Sequence, residues 1–536
     1  MITVSCEDFL DTQPINKIAL EQYYTDEAGL MQVLAGVYDP LGSDKVYGNA
    51  LYTTLEACTD EGYYARSNQV TGTQVYNFDP TAADVGNLWS ELYKGVNRAN
   101  DLIANINVPK MEEDKRQIIL GEALFLRGYY YYMLVVRFGD IPLKIEPTKN
   151  PNDIHIPKTS TVKIYEQILK DMMEAEAKVN TSTSLGYSSR ISKTIVQGIL
   201  ARVCLQMAGY PLFKTEKYID ALYWAGKVVN SGEHGLNQSF NSNTALDVFN
   251  PTTANSSNNA YRQIFINESQ DIYDIKECMW EVDFKGNRTD EYSETGRLGN
   301  TNGITMTASS FESTIGYSYG FIKGTARLFN KYEANDLRRD WVLTTYTFNT
   351  STGSKVAINK NNAYGRDCGK WRREYETLMP KHKNHTPTNF PILRYADVLL
   401  MLAEAENKVN GPTTVAYNAI NQVRRRGYGL PVNIKSVAAD LPMGLSSNDF
   451  QLILEDERMR ELCFEGTRRS DLIRWNKFVS TMNAVGTEIS SSPTPINQQY
   501  GGLGGKNVTN RNLFFPIPSS EILSNKALTQ NETWLN

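Results

Sequence analysis

The stretch that most restricts the fold of this chain is residues 115–138, which read as one long helix that is apolar on nearly all sides. Ile119, Ala123 and Leu126 follow one another at spacings of four and three residues, and a second apolar stripe begins at Ile118. Because such a helix offers almost no polar face to water, other elements must cover it on every side. The sequence therefore predicts a mostly α fold with a core of packed helices.

Helical periodicity also marks several other stretches, which end at Gly, Pro or Asn signals. The further predicted helices are residues 164–179, 192–208, 216–230, 395–409, 414–426, 449–465 and 471–478. The pair 192–208 and 216–230 reads as a helical hairpin, and its small residues allow the two helices to approach closely. This pattern is typical of tetratricopeptide-like stacks, whose repeat is about 34 residues.

Residues 237–390 have a different composition, since Asn, Ser, Thr and Gly crowd between short aromatic segments. Such a pattern predicts short strands and long loops, so a tetratricopeptide-like helical hairpin scaffold carries a large irregular loop-rich insertion. The run GGLGG at 501–505 predicts a further flexible loop. The predicted division is an N-terminal tether (1–20), a first helical part (21–236), a loop-rich ligand-binding part (237–390), a second helical part (391–480) and an irregular C-terminal segment (481–536).

Composition excludes several classes of function. The chain has 55 Lys and Arg against 60 Asp and Glu, a net charge of −5, which gives no electrostatic case for nucleic acid. Its six cysteines lie at least 52 residues apart and it has only four histidines, so no zinc or redox motif is present. No run approaches 18 apolar residues. We predict no cofactor and no catalytic metal, and a loop-bound calcium ion remains an open alternative.

One pentapeptide fits the pattern G-x-S-x-G of serine hydrolases, with Ser318 in the position of the nucleophile. Chain order could supply Asp336 or Asp340 as the acid and His382 or His385 as the base. However, no clean buried strand precedes the motif, and no alternating strand and helix series surrounds it. The sequence favours a tyrosine-bearing loop and a protein without enzymatic activity, with a hydrolase as the alternative.

Aromatic residues in polar segments are the better indication of function, in a chain with 31 tyrosines. A sugar ring offers an apolar C–H face and a rim of hydroxyls, which aromatic rings and Asn, Asp or Arg side chains can bind together. The alternative for each ring is that it covers local core. The candidate ligand-binding residues are Tyr63, Tyr64, Arg66, Tyr292, Tyr317 and Tyr319.

The N-terminus contains one distinctive cysteine. Cys6 follows a short apolar segment and the small residue Ser5, and a polar run comes directly after it. This order is typical of the end of a bacterial lipoprotein signal, of which the charged start and most of the apolar stretch are absent from these residues. An ordinary exposed cysteine is the alternative.

Eight segments in the same order along the chain resemble the SusD/RagB family of outer-membrane nutrient-binding lipoproteins. They are CEDFLDTQP (6–14), WSELYKGVNRAN (89–100), EALFLRGYYYY (122–132), RFGDIPL (137–143), PILRYADVLLMLAEA (391–405), ERMRELCFEG (457–466), DLIRW (471–475) and FPIP (515–518).

This resemblance implies a tetratricopeptide-like scaffold that is lipidated at Cys6 and faces outward on the outer membrane. It also implies a partner, a SusC-like TonB-dependent transporter, to which bound oligosaccharide is passed without being cut. Peptide capture, as in the RagB branch, is the closest alternative. The charged motif residues are expected to form buried ion pairs that serve the fold. They are Glu122, Arg127, Glu457, Arg458, Glu461 and Arg468.

Overall fold

The structure is a computed structural model that describes residues 24–66, 70–148, 150, 153–239, 260–286, 296–491 and 500–535. The fold is mostly helical, and its strands form only small sheets. The helices of the first part are α1 (Glu27–Gly42), α2 (Ala83–Asn105), α3 (Glu113–Phe138), α4 (Thr161–Glu176), α5 (Ser182–Leu185), α6 (Lys193–Ala208) and α7 (Lys217–Asn230).

The later helices divide between the irregular middle and a second helical part. They are α8 (Ala260–Ser269), α9 (Ala326–Lys331), α10 (Arg339–Val342), α11 (Tyr395–Asn410), α12 (Thr414–Gly427), α13 (Ser447–Leu462), α14 (Arg468–Arg474), α15 (Phe478–Ser491), α16 (Tyr500–Asn507) and α17 (Ser519–Ser524). Most of the predicted helices lie within one to three residues of these bounds. The prediction of one helix at 471–478 is wrong, because Asn476 adopts a left-handed conformation (φ 59°) and separates α14 from α15.

The large helices stack one upon the next. Helix α3 packs between α2 and α4, α6 pairs with α7, and α7 in turn contacts α11, which packs against α12 and α13. The apolar helix α3 is buried along nearly its whole length, as its pattern predicts. The chain thus leaves the helical stack after α7 and returns to it at α11, so that the two helical parts form one scaffold.

Within the described ranges the strands pair as four antiparallel ladders. The pairs are β1 (Gly62–Tyr64) with β5 (Ile322–Gly324), β2 (Ile141–Pro142) with β3 (Lys158–Thr159), β4 (Cys278–Val282) with β8 (Phe390–Arg394), and β6 (Tyr346–Phe348) with β7 (Lys355–Ala357). Two of these pairs attach the irregular middle to the scaffold. Strand β5 pairs with β1, which lies between the first helices, and β8 runs directly into α11.

The prediction of a flexible loop at 501–505 is wrong, because these glycines lie in helix α16. A Cβ atom at Gly504 would lie 2.5 Å from the Sγ atom of Cys58, and one at Gly505 would lie 2.4 Å from the carbonyl oxygen of Met482. The glycines therefore let α16 approach its neighbours more closely than any side chain would allow. Tertiary packing outweighs the low intrinsic helix propensity of glycine at this place.

A network of buried charges lies where the irregular middle meets the scaffold. The guanidinium of Arg394 contacts Glu461 at 2.9 Å and Glu277 at 3.0 Å, and Arg338 contacts Glu461 at 3.0 Å. A fourth contact joins Glu461 to Arg426 at 2.5 Å. All five side chains are at most 1% exposed, so each charge depends on its partners for the solvation that water would provide.

The cations of this network set the ionisation of its carboxylates. Burial by itself raises the pKa of Glu461, but Arg426, Arg394 and Arg338 outweigh it and lower that pKa to about 2. Burial opposes ionisation of Glu404 in the same way, and Arg474 lowers its pKa to about 2. Both residues therefore remain charged inside the protein at neutral pH.

The motif residues that the sequence assigns to buried ion pairs do form them. Glu122 pairs with Arg190, and Arg127 binds Asp171 at 2.7 Å, so these partners come from other segments. The motif residues of the second helical part are paired in the same way. Arg458 contacts Asp397 and Asp471, and Arg468 contacts Asp60. Glu457 contacts Arg338 and Arg424. These residues join helices and are not available to a ligand.

The five cysteines among the described residues are buried free thiols: Cys58, Cys204, Cys278, Cys368 and Cys463. In the same part of the chain, no helix combines the length and the apolar character that a membrane crossing requires.

We predict that Glu461→Gln destabilises the protein by about 3–5 kcal/mol, because it leaves three buried arginines with too little negative charge. Urea unfolding followed by circular dichroism measures this change. The control is Glu488→Gln, which removes a half-exposed partner of Arg327 and should cost less than about 1 kcal/mol.

The wild-type protein provides the matching pH measurement. Since Glu461 has a pKa of about 2 when folded and an ordinary value of 4.5, its contribution to stability is complete above pH 4.5 and is lost as the pH falls toward 2. The variant should lose less stability over this interval. An equal acid sensitivity of variant and wild type would contradict the role given to Glu461.

Candidate ligand-binding site

An extended segment at 317–323 presents aromatic rings on one side. Tyr317, Tyr319 and Phe321 are half-buried, whereas the alternating residues Ser318 and Gly320 are buried. Although the backbone departs from the extended conformation at Gly320 (φ +58°), the three rings contact one another and share the outer face. We call these three residues the aromatic row.

The rings of the aromatic row lie against one another. The centroids of Tyr317 and Tyr319 are 5.0 Å apart at an interplanar angle of 69°, and Tyr319 and Phe321 are stacked at 4.9 Å and 21°. The ring of Tyr64, from β1, follows at 5.2 Å from Phe321. These distances are typical of favourable aromatic pairs, so the rings form one continuous surface.

Backbone hydrogen bonds hold the segment along both edges. On one edge the amides of Tyr319 and Phe321 donate to the carbonyl oxygens of Asn300 and Thr301, each at 2.7 Å. On the other edge the amide of Ala65 donates to the carbonyl oxygen of Phe321, also at 2.7 Å. With both edges occupied, the rings cannot rotate to the opposite face without breaking several hydrogen bonds.

The local structure explains why both glycine positions of the G-x-S-x-G pattern hold glycine. Gly316 (φ +96°) and Gly320 (φ +58°) both adopt conformations that favour glycine. A Cβ atom at Gly320 would also lie 2.0 Å from the hydroxyl oxygen of Thr305, and one at Gly316 would lie 2.8 Å from the side chain of Arg373. The pattern therefore marks a tightly packed segment.

The buried Arg373 fixes the end of the aromatic row. Its guanidinium donates to the carbonyl oxygen of Tyr317 at 2.6 Å and to that of His382 at 2.8 Å. Glu376 accepts two further hydrogen bonds from the same guanidinium, at 2.8 and 3.0 Å. One charged group thereby joins the aromatic row to the loop at 382–385.

Polar groups border the rings. The hydroxyl of Tyr319 donates to the side-chain oxygen of Asn384 at 3.1 Å. Arg66, Arg297 and Lys383 each lie over one ring of the row. Aromatic faces bordered by amide and cationic donors are the combination that binds a molecule with an apolar face and a polar rim.

The structure brings four of the predicted ligand-binding residues together and separates one from them. Tyr317, Tyr319 and Arg66 lie on this surface, and Tyr64 lies beneath it as a buried ring. Tyr63 is only 1% exposed and packs in the core against α16, because it belongs to β1 and not to the loop that the sequence indicates. Its ring is therefore not open to a ligand.

Two predicted functional residues lie outside the described residues, namely Tyr292 and Cys6. Sequence reasoning also missed members of the site. It did not select Phe321, although the spacing of Tyr317, Tyr319 and Phe321 at every second position was a readable signal. No sequence signal indicates Arg297 or Lys383, which reach the rings only through the folding of separate loops.

Ser318 is placed differently from a hydrolase nucleophile. It is 1% exposed, and its hydroxyl donates to the carbonyl oxygen of Asn300 at 3.1 Å. Both candidate acids, Asp336 and Asp340, form ion pairs with neighbouring arginines. The described strands make only two-stranded antiparallel ladders, so no doubly wound sheet presents this serine at a strand-to-helix turn. This geometry favours the tyrosine-bearing segment over the hydrolase.

Within the described ranges, no group of three or more His, Cys, Asp or Glu side chains is arranged to hold a metal ion. The rings of His382 and His385 do lie close together, with centroids 4.7 Å apart. A loop-bound calcium ion stays a prediction, because calcium also takes backbone and amide oxygens as ligands.

Comparison with protein families identifies the chain. The family model described as "SusD family" matches residues 166–534, and one described as "Starch-binding associating with outer membrane" matches residues 8–205. The chain belongs to the SusD family. The resemblance read from its motifs is thereby confirmed, and the second description agrees with the expected association with the outer membrane.

Individual members of the SusD family resemble this chain over all or part of its length. A SusD-like protein of Formosa agariphila is 25% identical, with 99% of this chain and 96% of that protein aligned. The starch-binding protein SusD of Bacteroides thetaiotaomicron is 28% identical over a shorter part, 31% of this chain and 26% of that protein. A crystal structure of a SusD homolog from Bacteroides thetaiotaomicron superposes with a TM-score of 0.84 at 27% identity, covering 96% of this chain and 98% of that one.

We predict that Gly320→Ala destabilises the protein and disorders the aromatic row, because the new methyl group meets Thr305 and the backbone is strained. The matched control is Gly232→Ala, whose φ of +68° is similar but whose Cβ meets open space. Thermal unfolding of both variants should show the larger loss for Gly320→Ala, by about 1–3 kcal/mol. Equal losses would mean that the close approach of Thr305 is unimportant.

Proposed function

We propose that this SusD family protein binds an oligosaccharide or polysaccharide on the aromatic row at the cell surface and does not cleave it. The observation that carries the proposal is the continuous surface of three half-buried rings with polar groups at its border. Consecutive sugar rings place their C–H faces on the aromatic faces, while hydroxyl groups exchange hydrogen bonds with the border.

The form of the site suits transfer of a ligand. A shallow surface of half-buried rings removes a limited apolar area from water, so micromolar or weaker affinity is expected. A ligand held in this way dissociates readily and can be passed on. The family relationship supports a SusC-like TonB-dependent transporter as the receiver and a lipid anchor at Cys6 as the attachment to the outer membrane.

The same surface is less suited to an extended peptide. Peptide capture by strand addition requires an open row of backbone donors and acceptors. The segment that carries the aromatic row is hydrogen-bonded on both edges, to residues 300–301 on one side and to Ala65 on the other. This occupancy favours a sugar ligand over the peptide alternative.

We predict that Tyr319→Ala weakens glycan binding by about tenfold, equivalent to about 1.4 kcal/mol, because it removes the central ring of the row. Affinity gel electrophoresis against a panel of plant, algal and microbial polysaccharides identifies a ligand, and calorimetry then measures the two dissociation constants. Analysis of reducing ends after incubation tests whether the ligand stays intact.

Tyr223→Ala is the matched control, since Tyr223 is an exposed tyrosine on α7 with Lys227 beside its ring. It should bind the ligand as the wild type does. Unchanged affinity of Tyr319→Ala in a folded protein would refute the aromatic row as the binding site. Tight binding of peptides, and of no polysaccharide in the panel, would favour the alternative ligand.

We predict that Cys6→Ala releases the full-length protein from the outer-membrane fraction of its native cells, because the lipid anchor is lost. Fractionation and the intact mass of the purified protein measure this outcome. Affinity purification of the wild type from solubilised outer membranes should recover a TonB-dependent barrel. A variant that remains in the membrane fraction, or a wild type without lipid mass on Cys6, would contradict the anchor.

A further inference from the structure

Each ring of the aromatic row carries one cationic side chain. The guanidinium of Arg66 lies 5.6 Å from the ring centroid of Phe321, and that of Arg297 lies 5.7 Å from the centroid of Tyr319. The Nζ atom of Lys383 lies 4.8 Å from the centroid of Tyr317. Each of the three rings therefore has one cation beside it.

Among the described residues, these three cations have no carboxylate at salt-bridge distance. Arg297 donates only to the neutral side-chain oxygen of Asn300, at 3.0 and 3.1 Å. By contrast, Lys323 does have a carboxylate partner. It lies on the same segment, two positions beyond the row, and forms an ion pair with the buried Asp367. Arg373 is likewise paired with Glu376, whereas Arg366 and Lys381 donate to backbone carbonyl oxygens.

Stacking on a ring does not satisfy these cations. A cation over an aromatic face is stabilised by the ring quadrupole, but its N–H donors at the edge remain free to bind an anion. Arg66 is exposed, whereas Arg297 and Lys383 are half-buried, so water solvates these two only in part. Partly desolvated cations at a binding surface favour an anionic ligand group.

The charge is local, because the chain as a whole is acidic with a net charge of −5. General electrostatic attraction therefore does not bring polyanions to this protein, and the three cations stand out against the overall charge. Their position beside the rings, and not on an arbitrary face, connects the positive charge with the aromatic surface.

We propose that the aromatic row binds an acidic polysaccharide, one that bears carboxylate or sulfate groups on its sugar rings. The inference rests on the proposed function and names the ligand class of that same site. A sugar packed against the exposed part of the aromatic row lies beside the guanidinium groups of Arg297 and Arg66, which can donate to its anionic substituents. Both anionic groups offer planar or clustered oxygens that suit a guanidinium.

Paired polysaccharides test the ligand class. The full chain is titrated with polygalacturonate and with its carboxyl-reduced neutral counterpart, and likewise with a carrageenan and its desulfated form. The proposal expects binding to at least one acidic member, about tenfold tighter than binding to its neutral counterpart, and a loss of that difference as salt concentration rises. The two pairs distinguish uronate from sulfate recognition.

Charge removal tests the residues. The double variant Arg66→Gln and Lys383→Gln should weaken binding of the acidic member by about fourfold or more, the product of two exposed ion pairs, and should leave the neutral member nearly unaffected. The control removes two positive charges from exposed lysines outside the site, Lys408→Gln and Lys435→Gln, and should change neither affinity. Both double variants lower the net charge equally.

The outcomes separate the two proposals. If Tyr319→Ala abolishes binding but acidic and neutral members bind equally, the glycan site stands and its acidic preference is refuted. If the charge variant weakens both members to the same extent, the cations only support the rings, and the inference is again wrong. If neither the ring nor the charge variant affects any binding, the site itself is misplaced.

Discussion

The buried attraction between arginines and carboxylates is the constraint on which the rest of this structure depends. Arg394 ends strand β8 and stands at the start of α11, so its contacts with Glu461 and Glu277 join the strand pair of the insertion to the helical stack. Such ions are expensive to remove from water, and they are stable only because each has its partners in place. The network therefore admits one relative position of insertion and scaffold, and slightly altered arrangements would leave charges unpaired.

This position decides where the aromatic row lies. Arg338 and Lys370, both from the insertion, reach carboxylates at the end of α13, and the Thr325 hydroxyl donates to the carbonyl oxygen of Asp60. Directly before these attachments the chain runs through 317–323, pairs with β1, and holds its rings outward. The helices contribute no ring to the surface, but they hold the ends of the loops that do. Rigid helices with a ligand surface on the attached loops are a common division of labour in binding proteins.

Specificity follows from what surrounds the rings, because stacking alone discriminates weakly between sugars. In the proposed site the rings accept any ligand with an apolar C–H face, and the three cations beside them select for negative charge. Loops can exchange such border residues without disturbing the buried network, since Arg66 and Lys383 take no part in it. One way of holding the insertion is thus compatible with different border residues, and hence with different ligands.

The sequence by itself determined the helices and the family. Periodicity is a local property, so α3 and the helical pairs could be read from neighbouring residues, and the motif order indicated SusD-like relatives. The partners within the buried ion pairs could not be predicted from the sequence. Arg338 and Glu461 are 123 residues apart, and no local pattern indicates that they are in contact. The glycine run at 501–505 became a helix for the same reason, since contacts with distant segments outweighed its local preference. Likewise only tertiary structure placed Tyr63 in the core and gathered Arg66, Phe321 and Lys383 on one surface, because burial and proximity arise from long-range packing that no short stretch of sequence encodes.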